Sequence, residues 1–163
     1  MATNCNVLFV CTGNSARSIM AEAILRHRGK GIFTAYSAGI QPTGQPRPEA
    51  LKEIELARIP TEGLRSKSWD EFAGQGAPQM DFIFTVCDNA AKEVCPHWPG
   101  QPMTAHWGIP DPASVAGSPD EIARAFHDAF VVLDRRIGLF LALPLSTLKE
   151  VGIKGEIDKI GRS

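Results

Sequence analysis

Long apolar runs and a strong charge of either sign are both missing from this chain of 163 residues. The longest apolar stretch, residues 138–145, is much shorter than the roughly 18 residues that a membrane-spanning helix needs. The first residues also lack the charged and apolar regions of a signal peptide. The formal net charge is −1, so no overall basic field favours a nucleic-acid partner. We therefore expect a cytoplasmic protein that binds neither membranes nor nucleic acids.

Cysteine and tyrosine are scarce as well. The chain has four cysteines, and without a secretion signal these are more consistent with reduced thiols than with a disulfide framework. Tyr36 is the single tyrosine. No repeat, low-complexity segment or linker divides the sequence, and its length suits one domain over residues 1–163.

Short apolar segments alternate with helical patterns along the chain. The patterns predict strands at 6–10, 32–37, 81–87 and 103–107, and helices at 18–28, 48–57, 68–72 and 118–143. In the first helix, one face is predicted to carry Met20, Ala23, Ile24 and His27. A further short helix is expected to start at 146–149, and the tail from Gly152 is polar. This alternation predicts an α/β fold whose parallel sheet binds its ligand beyond the carboxyl ends of the strands.

The segment from Cys11 to Ser18 indicates an anion site with a nucleophile. An apolar strand ends at Cys11, small residues follow, and Arg17 and Ser18 open a helical pattern. A helix N-terminus and a tight loop point backbone N–H groups at one spot, favouring bound anions and an ionised thiol. The groups expected to bind an oxyanion belong to Thr12, Gly13, Asn14, Ser15, Ala16, Arg17 and Ser18.

The spacing of Cys11 and Arg17 is weak by itself, and the surrounding strand, glycine, serine and helix supply the specificity. A nucleotide-binding P-loop is excluded because no Gly-Lys-Ser/Thr ends this loop. The alternative is that Cys11 is simply a buried residue at a strand end.

Asp111 stands in a Pro-Asp-Pro sequence between the last strand and the long helix. Pro112 keeps Asp111 out of helical geometry, so its carboxyl can project from a fixed turn and act as a general acid. The alternative is an ordinary aspartate of a turn.

Cys87 and Cys95 bracket a polar loop after the third predicted strand. Three interpretations remain open from the residues alone: two unrelated thiols, a redox pair, or a metal site that also uses His97 and His106. The spacing Cys-x7-Cys-x-His is not usual for zinc.

Taken together, these motifs resemble one superfamily, the low-molecular-weight protein tyrosine phosphatases and thioredoxin-coupled arsenate reductases. The resemblance runs over about residues 6–142, the expected core, and leaves a C-terminal tail at 143–163. It is carried by the loop from Cys11 to Ser18, by Met-Ala-Glu22, Ser37-Ala-Gly39, Arg65-Ser-Lys67 and His106-Trp-Gly-x-Pro-Asp111-Pro112.

The resemblance implies a flavodoxin-like three-layer fold with a four-stranded parallel sheet. It implies Cys11 as the nucleophile, Arg17 and the loop amides as oxyanion binders, and Asp111 as the general acid. Asn14, Ser18 and Ser37 match positions that brace the loop or stabilise the thiolate. No metal or cofactor is implied.

Two features favour the reductase branch. Related phosphatases carry an aromatic residue in the loop after Ser-Ala-Gly and tyrosines after Asp-Pro, whereas residues 41–47 contain no aromatic and Ala113 follows Pro112. The segment from Thr85 through Cys87, Cys95 and His106 looks like the redox segment of arsenate reductases. The implied function is reduction of arsenate by a relay from Cys11 to Cys87 to Cys95, recycled by thioredoxin or a similar thiol reductant.

The alternative function is a phosphatase that hydrolyses phosphomonoesters through a Cys11-phosphate intermediate. Two features of the sequence also differ from the familiar reductases. Ala16 stands where cysteine is common, and the spacing between Cys87 and Cys95 is one residue longer.

Overall fold

The computed structural model describes residues 5–72, 76–86, 102–144 and 153–162. Its strands and helices are β1 (Cys5–Cys11), α1 (Arg17–Arg28), β2 (Phe33–Gly39), α2 (Pro48–Leu56), β3 (Phe82–Thr85), β4 (Met103–His106), α3 (Pro119–Leu141) and α4 (Ile153–Ile160). Trp69–Phe72 and Pro112–Ser114 form short 3-10 turns. The helix expected to start at 146–149 lies outside the described residues.

The four strands form one parallel sheet in the order β2-β1-β3-β4. β1 lies between two neighbours, and apart from Asn6 all its residues are buried, which explains its nearly continuous apolar sequence. The predicted α/β class and four-stranded parallel sheet are confirmed. Because the strands are parallel, Cys11, Gly39 and His106 end β1, β2 and β4 at the same edge.

An aromatic cluster joins the sheet to α3. The ring of Phe140 lies 5.1 Å from that of Phe33, 5.3 Å from Phe82 and 5.4 Å from Phe84, measured between centroids. Trp107 stacks on Phe84 at 4.0 Å. Such pairs add about 0.5–1.5 kcal/mol each beyond the burial of their area. The helical spacing of the apolar residues predicts core positions in α3 at Ile122, Phe126, Phe130, Leu133, Ile137 and Phe140 or Leu141. All of them are buried except Ile122 and Leu141, which are half-buried.

Helix α1 is buried on nearly every side for its first nine residues. Met20, Ala23 and Ile24 are buried as predicted. The prediction that His27 shares their face is wrong, because His27 is exposed beyond the buried part. α1 packs against β1, β2, α2 and α3, so few of its directions face solvent. This places the N-terminus of α1, and with it Arg17, inside the molecule.

Helix α4 corrects the expectation of a polar tail from Gly152. Ile153, Ile157 and Ile160 are buried at helical spacing, and α4 packs against β4 and α3. The indole N–H of Trp107 donates a hydrogen bond to the carbonyl of Ile157 at 3.0 Å. Within the described residues, neither α4 nor any other helix has the length and apolar character needed to cross a membrane.

Candidate active site

Main-chain hydrogen bonds from residues 40–47 fix the loop between β1 and α1. The carbonyls of Cys11, Thr12, Gly13 and Ser15 accept hydrogen bonds of 2.7–3.1 Å from the main-chain N–H groups of Ile40, Gln41, Thr43 and Arg47. In a trans peptide the C=O and N–H point in opposite directions. Carbonyls turned towards 40–47 therefore leave the N–H groups of the loop facing the other way, as an anion-binding concavity requires.

Asn14 is the residue on which the loop turns. Its φ of 47° lies in the left-handed region, which asparagine tolerates better than most residues. Its side chain is fully buried and bonded at both ends. Oδ1 accepts the main-chain N–H of Lys67 at 2.8 Å, and Nδ2 donates to Ser18 Oγ at 2.8 Å.

The thiol of Cys11 is surrounded by donors. Cys11 is 2% exposed, its Sγ lies 2.8 Å from Ser18 Oγ, and the main-chain N–H of Asn14 donates to it at 3.2 Å. A thiolate can only accept, so when Cys11 is ionised the Ser18 hydroxyl, which accepts from Asn14 Nδ2, donates its proton to Sγ. Two donors and the adjacent N-terminus of α1 together favour the thiolate form of Cys11.

Arg17 and Asp111 face each other beside this thiol. Arg17 Nη1 donates to the carbonyl of Ile109 at 3.1 Å, and Nη2 lies 3.6 Å from Asp111 Oδ2. The Asp111 carboxylate also accepts the N–H of Ala113 at 2.9 Å and caps the turn that starts at Pro112. The Asp111 side chain remains 41% exposed, so it is fixed in place yet open to a bound molecule.

These residues surround a cavity of about 290 Å³. Its lining consists of Cys11, Thr12, Gly13, Ser15, Ala16, Arg17, Gln41, Thr43, Arg47, Asp111 and Ala113. None of these described lining residues is aromatic. The structure therefore brings the three predicted residues Cys11, Arg17 and Asp111 together, and it adds Arg47, which the sequence motifs did not indicate.

Glu22 and Lys67 form a buried pair of opposite charges near the anion-binding loop. Ser37 Oγ donates to the Glu22 carboxylate, and Lys67 Nζ lies 3.6 Å from Glu22 Oε1. Burial lowers the pKa of Lys67 below its ordinary value of 10.5, while the charge of Glu22 opposes that shift. Ser37 thus reaches the loop through Lys67, whose main-chain N–H holds Asn14. Glu22 and Lys67 occurred in the sequence motifs, but the motifs gave no indication of this pairing.

The predicted relay thiols Cys87 and Cys95 lie outside the described residues, as does His97. Val86, which precedes Cys87, donates its N–H to the carbonyl of Val10 in β1 at 2.9 Å. His106 Nδ1 lies 2.8 Å from Thr85 Oγ1. Over the described ranges, no three His, Cys, Asp or Glu side chains are grouped to hold a metal ion.

A family model described as low molecular weight phosphotyrosine protein phosphatase matches residues 6–152. The chain belongs to this family. The chain is also 34% identical to an arsenate reductase of Halalkalibacterium halodurans over 134 residues, 82% of this chain and 93% of that protein. It is 35% identical to an arsenate reductase of Bacillus subtilis over 115 residues, 71% of this chain and 79% of that protein.

Solved structures of an arsenate reductase and of a low molecular weight protein tyrosine phosphatase share the fold of this chain. An arsenate reductase in the phosphate binding state matches with a TM-score of 0.68 and 24% identity, over 85% of this chain and 97% of that one. A low molecular weight protein tyrosine phosphatase from T. tengcongensis matches with a TM-score of 0.63 and 22% identity, over 80% and 92%. At these identities the likeness concerns the fold alone.

Proposed function

We propose that this protein reduces arsenate to arsenite with its cysteine thiols. The observation that carries the proposal is the buried Cys11 thiol at a small anion cavity whose described lining contains two arginines and no aromatic residue. A cavity of this kind suits a small inorganic oxyanion better than a phosphorylated aromatic ring. The curated relatives that cover most of the chain are named arsenate reductases.

In the first step, the Cys11 thiolate attacks arsenic and forms a sulfur–arsenic bond. Arg17 and the loop N–H groups stabilise the charge on the arsenate oxygens. Asp111 gives a proton to the departing hydroxyl, which leaves as water. The position of Asp111 supports this role, because its carboxyl is anchored by Ala113 and lies beside Arg17.

In the second step, the Cys87 thiolate attacks Cys11 Sγ. The electrons of the sulfur–arsenic bond pass to arsenic, which leaves as arsenite, and a Cys11–Cys87 disulfide forms. The Cys95 thiolate then attacks Cys87 Sγ, which breaks the Cys11–Cys87 disulfide and releases Cys11 as a thiolate. The resulting Cys87–Cys95 disulfide is reduced by thioredoxin or a similar thiol reductant. The roles of Cys87 and Cys95 are supported by the sequence resemblance.

We also propose that the protein acts in the cytoplasm, where thiols are kept reduced.

Phosphatase activity is the second candidate, because phosphate has nearly the same shape as arsenate and the family model carries the phosphatase description. In that reaction Cys11 would attack phosphorus, the ester oxygen would leave as an alcohol with a proton from Asp111, and water would hydrolyse the phosphocysteine that remains. The absence of an aromatic residue among the described lining residues favours small phosphomonoesters over phosphotyrosine as substrates.

The test is arsenate turnover by the full chain with thioredoxin, thioredoxin reductase and NADPH. We expect arsenate-dependent NADPH consumption that Cys11→Ser abolishes. Cys87→Ser should release no arsenite, and Cys95→Ser should release one arsenite per molecule at most. Cys5→Ser is the matched control, because Cys5 is a buried thiol at the opposite end of β1.

Wild-type protein that consumes no NADPH with arsenate would contradict the reductase proposal. Normal turnover by Cys87→Ser would contradict the relay. Rapid hydrolysis of an aryl phosphate that depends on Cys11 and survives both Cys87→Ser and Cys95→Ser would favour the phosphatase instead.

A further inference from the structure

Arg47 is the second arginine among the described residues that line the cavity of Cys11. Its main-chain N–H donates to the carbonyl of Ser15 at 2.7 Å, which ties its position to the anion-binding loop. Its guanidinium carbon lies 5.8 Å from the ring centre of Phe126, which is fully buried in α3. The main chain of Arg47 is therefore fixed beside the loop, and a cation–π contact with Phe126 helps to hold its guanidinium.

The hydrogen-bonding capacity of Arg47 is largely unused. Nη2 donates to Glu49 Oε2 at 2.8 Å, whereas the buried Nε has no hydrogen-bond partner within the described residues. Arg47 and Glu49 are 40% and 31% exposed, so the pair between them is weakened by water. A ligand with negatively charged oxygens can displace this carboxylate and accept hydrogen bonds from the exposed part of the Arg47 guanidinium.

The charge of the reacting groups makes a second cation useful. The Cys11 thiolate and a doubly charged oxyanion repel each other, and Arg17 already lies near the Asp111 carboxylate at 3.6 Å. One guanidinium and a helix N-terminus leave part of this negative charge uncompensated. Arg47 lines the same cavity and supplies the additional positive charge.

We propose that Arg47 is a specificity-determining residue that selects the doubly charged form of the oxyanion and holds it over Cys11. Glu49 accepts a hydrogen bond from the guanidinium, and a bound oxyanion would take the place of Glu49. This inference rests on the proposed function for its substrate, arsenate. Its binding step is independent of that function, because inorganic phosphate serves as the probe.

The experiment measures phosphate affinity by calorimetry on the reduced protein, together with the KM for arsenate. We expect Arg47→Met to weaken phosphate binding and raise KM about tenfold, as loss of a charge-assisted hydrogen bond does, with kcat nearly unchanged. The loss should be larger at about pH 8, where the dianion prevails, than at about pH 5.5. Arg47→Lys should restore part of the affinity.

Glu49→Gln distinguishes ligand binding from a structural role. Removal of the competing carboxylate should tighten phosphate binding about two- to threefold, whereas loss of a merely structural ion pair would not. Arg28→Met and Asp134→Asn are the matched controls for the change of charge. They remove a similarly exposed ion pair at the far end of α1, and they should leave phosphate affinity within twofold of wild type.

Unchanged phosphate affinity in Arg47→Met, or weaker binding in Glu49→Gln, would overturn the assignment. An effect of Arg47→Met that is the same at both pH values would also overturn it. If wild-type protein fails to reduce arsenate but phosphate binding follows the expected pattern, the reductase function fails and the assignment of Arg47 stands.

Discussion

Among single residues, Asn14 connects the backbone of the loop to the reactivity of its thiol. The Lys67 N–H fixes Oδ1, and this leaves Nδ2 turned towards Ser18. Ser18 must then present its proton to Cys11 when the sulfur is a thiolate. The orientation of one buried amide therefore determines which atom of Ser18 faces the nucleophile.

Replacing Ser18 with alanine tests this chain of hydrogen bonds. Loss of a donor to a charged sulfur should move the midpoint of Cys11 alkylation by iodoacetamide upwards by about one pH unit, or about 1.4 kcal/mol. Mass spectrometry of the peptide that contains Cys11 separates its alkylation from that of the other cysteines.

Ser118→Ala is the control for a general loss of stability. Ser118 accepts the N–H of Glu121 and caps α3, so its removal costs about 1 kcal/mol of stability without touching the thiol. An alkylation midpoint that rises equally in both variants would contradict the proposed role of Ser18.

Among secondary-structure elements, β2 supports the anion-binding loop by approaching it closely. A Cβ atom on Gly39 would lie 2.8 Å from the Thr12 carbonyl oxygen and 2.9 Å from Asn14 Cβ. The end of β2 therefore needs a residue without a side chain, and the loop rests directly on its backbone.

Gly39→Ala should force the loop away from β2 while the sheet persists. Overpacking of this kind costs about 1–3 kcal/mol, and we expect phosphate binding to weaken by about tenfold or more. Calorimetry on the reduced protein measures the effect, and circular dichroism verifies the fold.

Gly155→Ala is the comparison, since a Cβ there has no neighbour within 4 Å and Gly155 lies inside α4. It should leave binding unchanged and stabilise the helix by roughly 0.5–1 kcal/mol. Equal phosphate affinity in Gly39→Ala and wild type would show that the close approach of β2 does not position the loop.

The elements also show what the sequence could predict. The unit of β1, loop and α1 is encoded locally, so the apolar strand before Cys11, the small residues after it and the helical pattern from Arg17 together predict its geometry. Arg47 and Lys67 reach the site only through contacts between distant segments, and no local pattern specifies such contacts. The isoleucines of α4 have helical spacing, but the charged residues between them favour the prediction of a polar tail.

At the scale of the whole molecule, α4 packs against β4, the last strand in the order of the sheet. Ile157 is fully buried, and Lys154 Nζ donates to the Thr104 carbonyl of β4 at 2.8 Å. The hydrogen bond from Trp107 to Ile157 connects this helix to the aromatic cluster around Phe84 and Phe140. The C-terminal segment thus contributes to the core of the domain.

Ile157→Ala should lower the free energy of unfolding by about 2–5 kcal/mol, because it leaves a cavity between α4 and the sheet. Urea denaturation followed by fluorescence measures this change. Lys159→Ala, an exposed change on the same helix, should alter stability by less than about 0.5 kcal/mol. Similar losses in the two variants would mean that α4 does not contribute to the core.

The hydrogen bonds between residues 40–47 and the loop carbonyls use main-chain atoms only. The side chains of Gln41, Thr43 and Arg47 at the cavity mouth are therefore not needed to maintain the loop that carries Cys11. Natural or laboratory evolution can exchange them, changing the charge and width of the entrance while the nucleophile keeps its geometry. In this fold, a new substrate preference can arise by mutation of the entrance without rebuilding the reactive centre.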